Sequence, residues 1–369
     1  MWFNRYSFER DPYRVVNPFK IPEDLIQWDR DDLPQRDNFF RFIDDVVAGS
    51  RVGLKAYGAI GSGKTWLMRH LDKTLREKLG RKVAVIYGAS PRLEPKFSIL
   101  YGILVESWNE YRESVLEAIG EKGGRKLEGW EQIIEDRDLA ACLYGFHHKP
   151  REEAGICEQW LQGIKIGLSD LRSVGIRSPL DSDYRKYLIL RKLLDLSLLA
   201  FDSCILIVDE LENAPPSFAR ALGDALRDML DSFSEGFALA CTYTAEVADQ
   251  MLDWGYGEWL FRRLEYEIKL EPIEPAPAPA IFRVHHAAYR KEGYEKDQLT
   301  PFTEEGLRRL INYMEQRFKY PGYIFVNCQK LGQLADELSI DMIDEDFVEG
   351  QLHERRTFFD YLASNPRLM

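Results

Sequence analysis

Eight consecutive residues, Gly58-Ala59-Ile60-Gly61-Ser62-Gly63-Lys64-Thr65, constrain this chain more than any other feature. They fit G-x-x-x-x-G-K-[ST], a pattern whose glycines let the backbone wrap phosphate oxygens while the helix behind them points its first amides at the same oxygens. Such a loop works only between a strand and a helix. The flanks supply both: Val52, Leu54 and Ala56 alternate as in a strand, and Leu67, Leu71, Leu75 and Leu79 share one helical face that ends at Gly80. In this arrangement Gly58 to Gly63 surround the phosphates, Lys64 reaches the outer two, and the Thr65 hydroxyl is a magnesium ligand.

A second motif completes the first. Cys204-Ile205-Leu206-Ile207-Val208 is a short apolar run that reads as a buried strand, and it ends on Asp209-Glu210. Open α/β sheets place ligand chemistry at the carboxyl ends of their strands. There Asp209 suits a magnesium contact, and Glu210 suits orienting and deprotonating an attacking water. A glutamate base favours hydrolysis over transfer to a small acceptor. After the next strand, Thr242 and Thr244 are candidates to present a hydroxyl to the γ-phosphate or to cap a chain end, with Thr242 ahead. Arg262 and Arg263 follow Trp259-Leu260-Phe261 and have two readings, a contact in trans to a neighbour's ATP or ion pairing on the surface. Trp66 belongs either to helix packing or to the nucleotide. His147-His148 and His285-His286 lack partners at metal-ligand spacing.

The runs Val83 to Tyr87, Ile205 to Val208, Phe237 to Thr242 and Tyr266 to Leu270 join the strand ahead of the loop to give five, most of them separated by helical patterns. The class is therefore α/β, with a mainly parallel sheet. A helix is expected over Asp37 to Ala48. Residues 91 to 203 are too long for a loop and carry helical periodicity, so they read as a helical insertion. The prolines of Glu271 to Pro279 mark a boundary, which divides the chain into 1–50 (lead-in and first helix), 51–271 (nucleotide-binding base) and 272–369 (helical lid and acidic tail). Thr303 is the expected N-cap of a lid helix. The stretch Asp336 to Glu354, free of Lys and Arg, reads as a solvated or subunit-contact face.

A net charge of −12 argues against a broad basic surface that holds nucleic acid unaided. Five cysteines without a C-x-x-C pair fit a reducing cytoplasm, and neither a signal peptide nor a membrane-length apolar run is expected.

With both motifs placed, the chain resembles the Orc/Cdc6-like branch of AAA+ P-loop ATPases, including those of prokaryotic phage-defence and mobile-element systems. The resemblance is carried by Asn17-Pro18-Phe19 ahead of the first helix, the loop Gly58 to Thr65, Asp209-Glu210, the Thr242 strand end and Arg262-Arg263. Trp160-Leu161-Gln162-Gly163 with Leu171 and Gly175-Ile176 is similar to a segment of phage-exclusion ATPases. It implies ATP and Mg2+ as cofactors, a helical lid, a homo-oligomer working on DNA or on a DNA-bound protein partner that supplies the effector activity, and Val16, Pro18 and Phe19 as contacts to the base. Two departures stand out. Where relatives carry a lid arginine after a proline, this chain reads Tyr320-Pro321-Gly322-Tyr323, which leaves Arg317 as the substitute. Too few residues follow Glu349 for a DNA-binding winged helix, so DNA contact is expected to be indirect.

Overall fold

The computed structural model describes residues 2–13, 30, 32–90, 97–293 and 299–354. Val16, Pro18 and Phe19 lie outside the described residues. Five strands appear where the apolar runs predict them: β1 (Val52–Gly58), β2 (Val83–Ala89), β3 (Ser203–Asp209), β4 (Phe237–Thr244) and β5 (Tyr266–Leu270). They form one sheet in the order β2-β3-β4-β1-β5. The β2–β3 and β3–β4 pairs are parallel, with Ala89 opposite Asp209 and Val208 opposite Cys241. Every residue of β1 and β3 is buried, as a sheet covered on both faces requires. That burial includes Lys55, whose ammonium donates to the Leu264 carbonyl at 2.7 Å and lies 4.4 Å from the centre of the Phe261 ring.

Among the described residues the helices are α1 (Trp2–Arg5), α2 (Arg36–Val47), α3 (Lys64–Leu79), α4 (Phe97–Trp108), α5 (Arg112–Gly123), α6 (Leu127–Ile134), α7 (Arg137–His148), α8 (Arg151–Leu161), α9 (Leu168–Ser173), α10 (Asp183–Ser197), α11 (Pro216–Ser232), α12 (Gln250–Asp253), α13 (Glu258–Arg263), α14 (Ala278–Tyr289), α15 (Glu304–Tyr313), α16 (Pro321–Glu337) and α17 (Glu345–Glu354). Helices α4 to α10 fill the interval between β2 and β3, so the long insertion is helical. Its core holds Trp108, Trp130 and Trp160, and each indole N–H finds an acceptor: Ser197 Oγ, the Gly124 carbonyl and the Ser178 carbonyl, at 2.9–3.0 Å. Asp136 and Ser182 cap α7 and α10 by accepting from Leu139 and Arg185 amides.

The chain clusters into two compact units, one of Asp37–Ala56 with Thr74–Ile268, the other of Met1–Arg36, Tyr57–Lys73 and Lys269–Met369. In the second unit Thr303 caps α15 by accepting from the Gly306 amide, as its sequence position predicts. The aromatic-rich start of the chain packs into this unit: Trp2 stacks on Tyr13 with ring centres 5.7 Å apart, and the Tyr6 hydroxyl donates to the Ile340 carbonyl at 2.7 Å. The acidic stretch after Asp336 is largely exposed, as a solvated face would be; the buried Ile343 and Val348 seat it, and Arg309 pairs with Glu345 and Glu349 of α17 at the surface.

His285 bonds through Nε2 to the Pro12 carbonyl and stacks on Phe325, and burial lowers its pKa from 6.5 to about 4. Between those values the unfolded chain binds the extra proton, so stability falls as pH falls through this window. Thermal unfolding from pH 7 down to pH 4 is expected to show a steeper loss in the natural protein than in His285→Phe. Parallel curves would remove His285 from the account.

Candidate functional site

The phosphate loop leaves β1 at Gly58 and enters α3 at Lys64. A side chain at Gly58 would meet the Leu270 carbonyl at 2.7 Å, so the strand end has no room for one. Gly61 and Gly63 take φ of +77° and +96°, values that side chains rarely allow, and they turn the loop's backbone inward. Ile60 is 60% exposed on the outer side of the loop. Lys64 is buried and its ammonium donates to the carbonyls of Gly58 and Ala59 at 3.1 and 3.0 Å. Ser62 is fully buried, and its Oγ has no partner among the described residues. Thr65 and Trp66 are half-buried in the first turn of α3.

The lid helix α16 touches this loop by its N-terminus. The Gly322 amide donates to the Gly61 carbonyl at 3.0 Å, and the Tyr323 ring lies 3.4 Å from where a Gly61 side chain would begin. Burial raises the Tyr323 pKa. Arg317, the expected substitute for a lid arginine, instead pairs with Glu315 at 2.7 Å and sits over the Phe318 ring.

The other half of the expected chemistry gathers at the end of β3. Asp209 is 1% exposed, and its carboxylate accepts from the Tyr87 hydroxyl, the Thr242 hydroxyl and the Glu210 amide. A buried carboxylate needs such donors, because an uncompensated charge there is costly. Glu210 adopts the left-handed conformation, with φ +57° and ψ +47°, which is uncommon for a residue with a side chain. Its amide also donates to Thr242 Oγ1 at 3.1 Å, and its carboxylate accepts from Asn213 Nδ2 at 2.8 Å. Asn213 Nδ2 donates in turn to the Ser90 carbonyl at 3.0 Å.

No protein-family model matches this sequence, and no curated protein matches it. Among solved structures, the ORC2 protein of Aeropyrum pernix in ADPNP and ADP complexes aligns over 94% of this chain and 72% of that one, at 13% identity and a TM-score of 0.53. The fold is that of an AAA+ ATPase. Also similar are CDC6P of Pyrobaculum aerophilum (88% of this chain and 68% of that one, 13% identity, TM-score 0.46) and the A. pernix ORC1 protein in complex with DNA (90% and 69%, 14% identity, TM-score 0.47).

Within this AAA+ fold the sequence candidates separate. Thr242 places its hydroxyl between Asp209 and the Glu210 amide, while Thr244 donates to Glu212. Arg262 and Arg263 end α13 on the surface, paired with Glu258 at 2.5 Å and Asp231 at 2.6 Å. His147 and His148 pack against Trp130, and among the described residues no group of three or more His, Cys, Asp and Glu side chains gathers at metal-binding distance. Tyr87 and Asn213 escaped the sequence reading. Their only signals are position, at the end of β2 and one short turn after Glu210.

Replacing Thr242 with Val keeps its shape and removes the hydroxyl that serves two partners. Thr242→Val is expected to lower stability in denaturant by roughly 1–3 kcal/mol, and Thr242→Ser to recover most of it. Equal stability of the Val variant and the natural protein would contradict the bonding described.

Proposed function

We propose that this protein binds ATP with magnesium and hydrolyses it, as an oligomerising AAA+ ATPase that serves a DNA-directed machine, with antiphage defence or mobile-element control as the setting. The observation that carries the reading is a complete phosphate loop at the head of α3 in an AAA+ sheet whose β3 ends on a hydrogen-bonded Asp209 and a Glu210 in left-handed backbone. The residues fit both groups. Ser62 Oγ is a buried polar atom without a partner, and two glycines hold the loop open to anions. Thr65 and Asp209 offer only oxygen donors, the set that Mg2+ prefers beside phosphate oxygens.

In this proposal the Lys64 ammonium exchanges the Gly58 and Ala59 carbonyls for phosphate oxygens. Gly58 to Gly63 hold the phosphates by backbone N–H groups, and Trp66 borders them. Magnesium neutralises phosphate charge when bound; Thr65 and Asp209 would hold it. Glu210 orients water and takes its proton, Thr242 keeps Asp209 and the Glu210 backbone in place, and Val16, Pro18 and Phe19 face the base. Arg262 or Arg263 acts on a neighbouring subunit's ATP. Either would first leave an exposed ion pair, which is weak because solvent screens it, and so small beside the roughly 10³–10⁵-fold rate effect of such an arginine.

A second reading has an observation of its own. Asn213 occupies a Glu210 carboxylate oxygen and both arginines are paired, which suits a nucleotide-dependent signalling switch or scaffold with slow turnover and no action on DNA. ATP turnover against protein concentration, with and without single- and double-stranded DNA, separates the two. Stimulation by DNA and a more than linear rise with concentration support the oligomeric machine; slow turnover indifferent to DNA supports the switch.

Lys64→Ala is expected to abolish ATP binding. Glu210→Gln is expected to keep ATP and to lower turnover by roughly 10²–10⁴-fold. Undiminished hydrolysis by Glu210→Gln would remove Glu210 as the base.

A further inference from the structure

Tyr87 is held at two ends by different parts of the chain. Its hydroxyl donates to Asp209 Oδ2, and its backbone amide donates to Ser107 Oγ of α4 at 3.0 Å. Strand β2 lies at the edge of the sheet, so among the described residues its outward amides and carbonyls have no strand to pair with. The insertion supplies those partners. Ser107 takes the Tyr87 amide, and the Tyr111 hydroxyl donates to the Val85 carbonyl at 3.1 Å.

Between these contacts and the end of β2 the helix and strand pack closely. A side chain at Gly88 would meet Leu104 Cδ2 of α4 at 2.6 Å, so the helix lies directly on the strand. One residue beyond β2, the Ser90 amide donates to the Asp209 carbonyl at 2.8 Å. Helix α4 is thus connected to the Asp209 side chain by way of Tyr87, and the residue that follows β2 bonds the Asp209 backbone.

We propose that Tyr87 is a positioning residue for the metal ligand Asp209, and that through it the helical insertion sets the affinity of the site for a divalent cation. The inference rests on the reading of Asp209 as a magnesium ligand. Hydrogen-bond partners that orient a ligating carboxylate are worth roughly 10–100-fold in metal affinity or activity when removed. The Tyr87 hydroxyl is such a partner, and Tyr87→Phe removes it with the smallest change of shape. A protein docked on the insertion would then change cation affinity without touching the nucleotide.

The test is Mn2+ binding in the presence of a non-hydrolysable ATP analogue, followed by loss of the free-ion EPR signal, in the natural protein, Tyr87→Phe and Ser107→Ala. Tyr87→Phe is expected to weaken Mn2+ binding roughly 10-fold and Ser107→Ala to weaken it less. Analogue binding without metal and the unfolding midpoint should stay close to the natural protein, which separates positioning from a loss of structure. Unchanged Mn2+ affinity in Tyr87→Phe overturns the positioning role. Weakened binding in Tyr87→Phe with none in Ser107→Ala overturns the link to the insertion. A natural protein that binds neither analogue nor Mn2+ overturns the functional reading, and the assignment with it.

Discussion

A carboxylate with 1% exposure at the end of β3 is the constraint around which the base is arranged. Burying a carboxylate there is costly unless donors surround it. They come from both flanking strands, Tyr87 on β2 and Thr242 on β4, and from the next amide in the chain. In the observed register Thr242 falls level with the acid, because its neighbour Cys241 stands opposite Val208, while Tyr87 stands opposite Ile207 and reaches the acid with its hydroxyl from two residues back. A slip of one residue in either pair would turn a hydroxyl to the opposite face. The order β2-β3-β4 is thus a requirement of the acid's burial as much as a scaffold for it.

That requirement explains what could be read beforehand. The loop Gly58 to Thr65 was legible because its chemistry is local: glycines for positive φ, a lysine and a threonine at a fixed offset, a strand before and a helix after. Strands β2, β3 and β4 were legible because a covered parallel sheet demands near-continuous apolar runs, β1 by the alternation of Val52, Leu54 and Ala56, and β5 by its short β-rich run. Tyr87 and Asn213 were not, because their partners are set by strand pairing and by a turn, neither of which a one-dimensional pattern contains. Thr242 stood between readings for the same reason. Helix α17 was missed because four of its ten residues are acids and the apolar residues that seat it, Phe347 and Val348 with the preceding Ile343, are too few to form a stripe.

The aromatic lead-in shows a different limit. Trp2, Tyr6, Phe8 and Tyr13 lie in a polar stretch without periodicity, yet they are buried with the helices of the C-terminal segment. Arg290 binds them together: its guanidinium donates to the carbonyls of Tyr6 and Thr300 and lies over the Phe8 ring. Aromatic content was the usable signal, since side chains of this size are seldom left wholly in water. Their partners, nearly three hundred residues away, could not be inferred from it.

The lid makes the strongest case for reading contacts over motifs. Tyr320-Pro321-Gly322-Tyr323 carries no cation where the family resemblance led one to expect an arginine, and Arg317, paired with Glu315, does not replace it. The backbone explains why these residues stand there. Proline is preorganised for the first helical turn, and glycine lets that turn approach the phosphate loop until a side chain at Gly322 would sit 3.1 Å from Gly61 Cα. The contact that results joins an uncharged amide to an uncharged carbonyl, so salt screens it little and phosphate charge does not enter it. It depends on where the Gly61 carbonyl points, and that direction is set by the left-handed turn of the loop itself. In this protein the lid is tied to the geometry of the phosphate loop by a backbone bond.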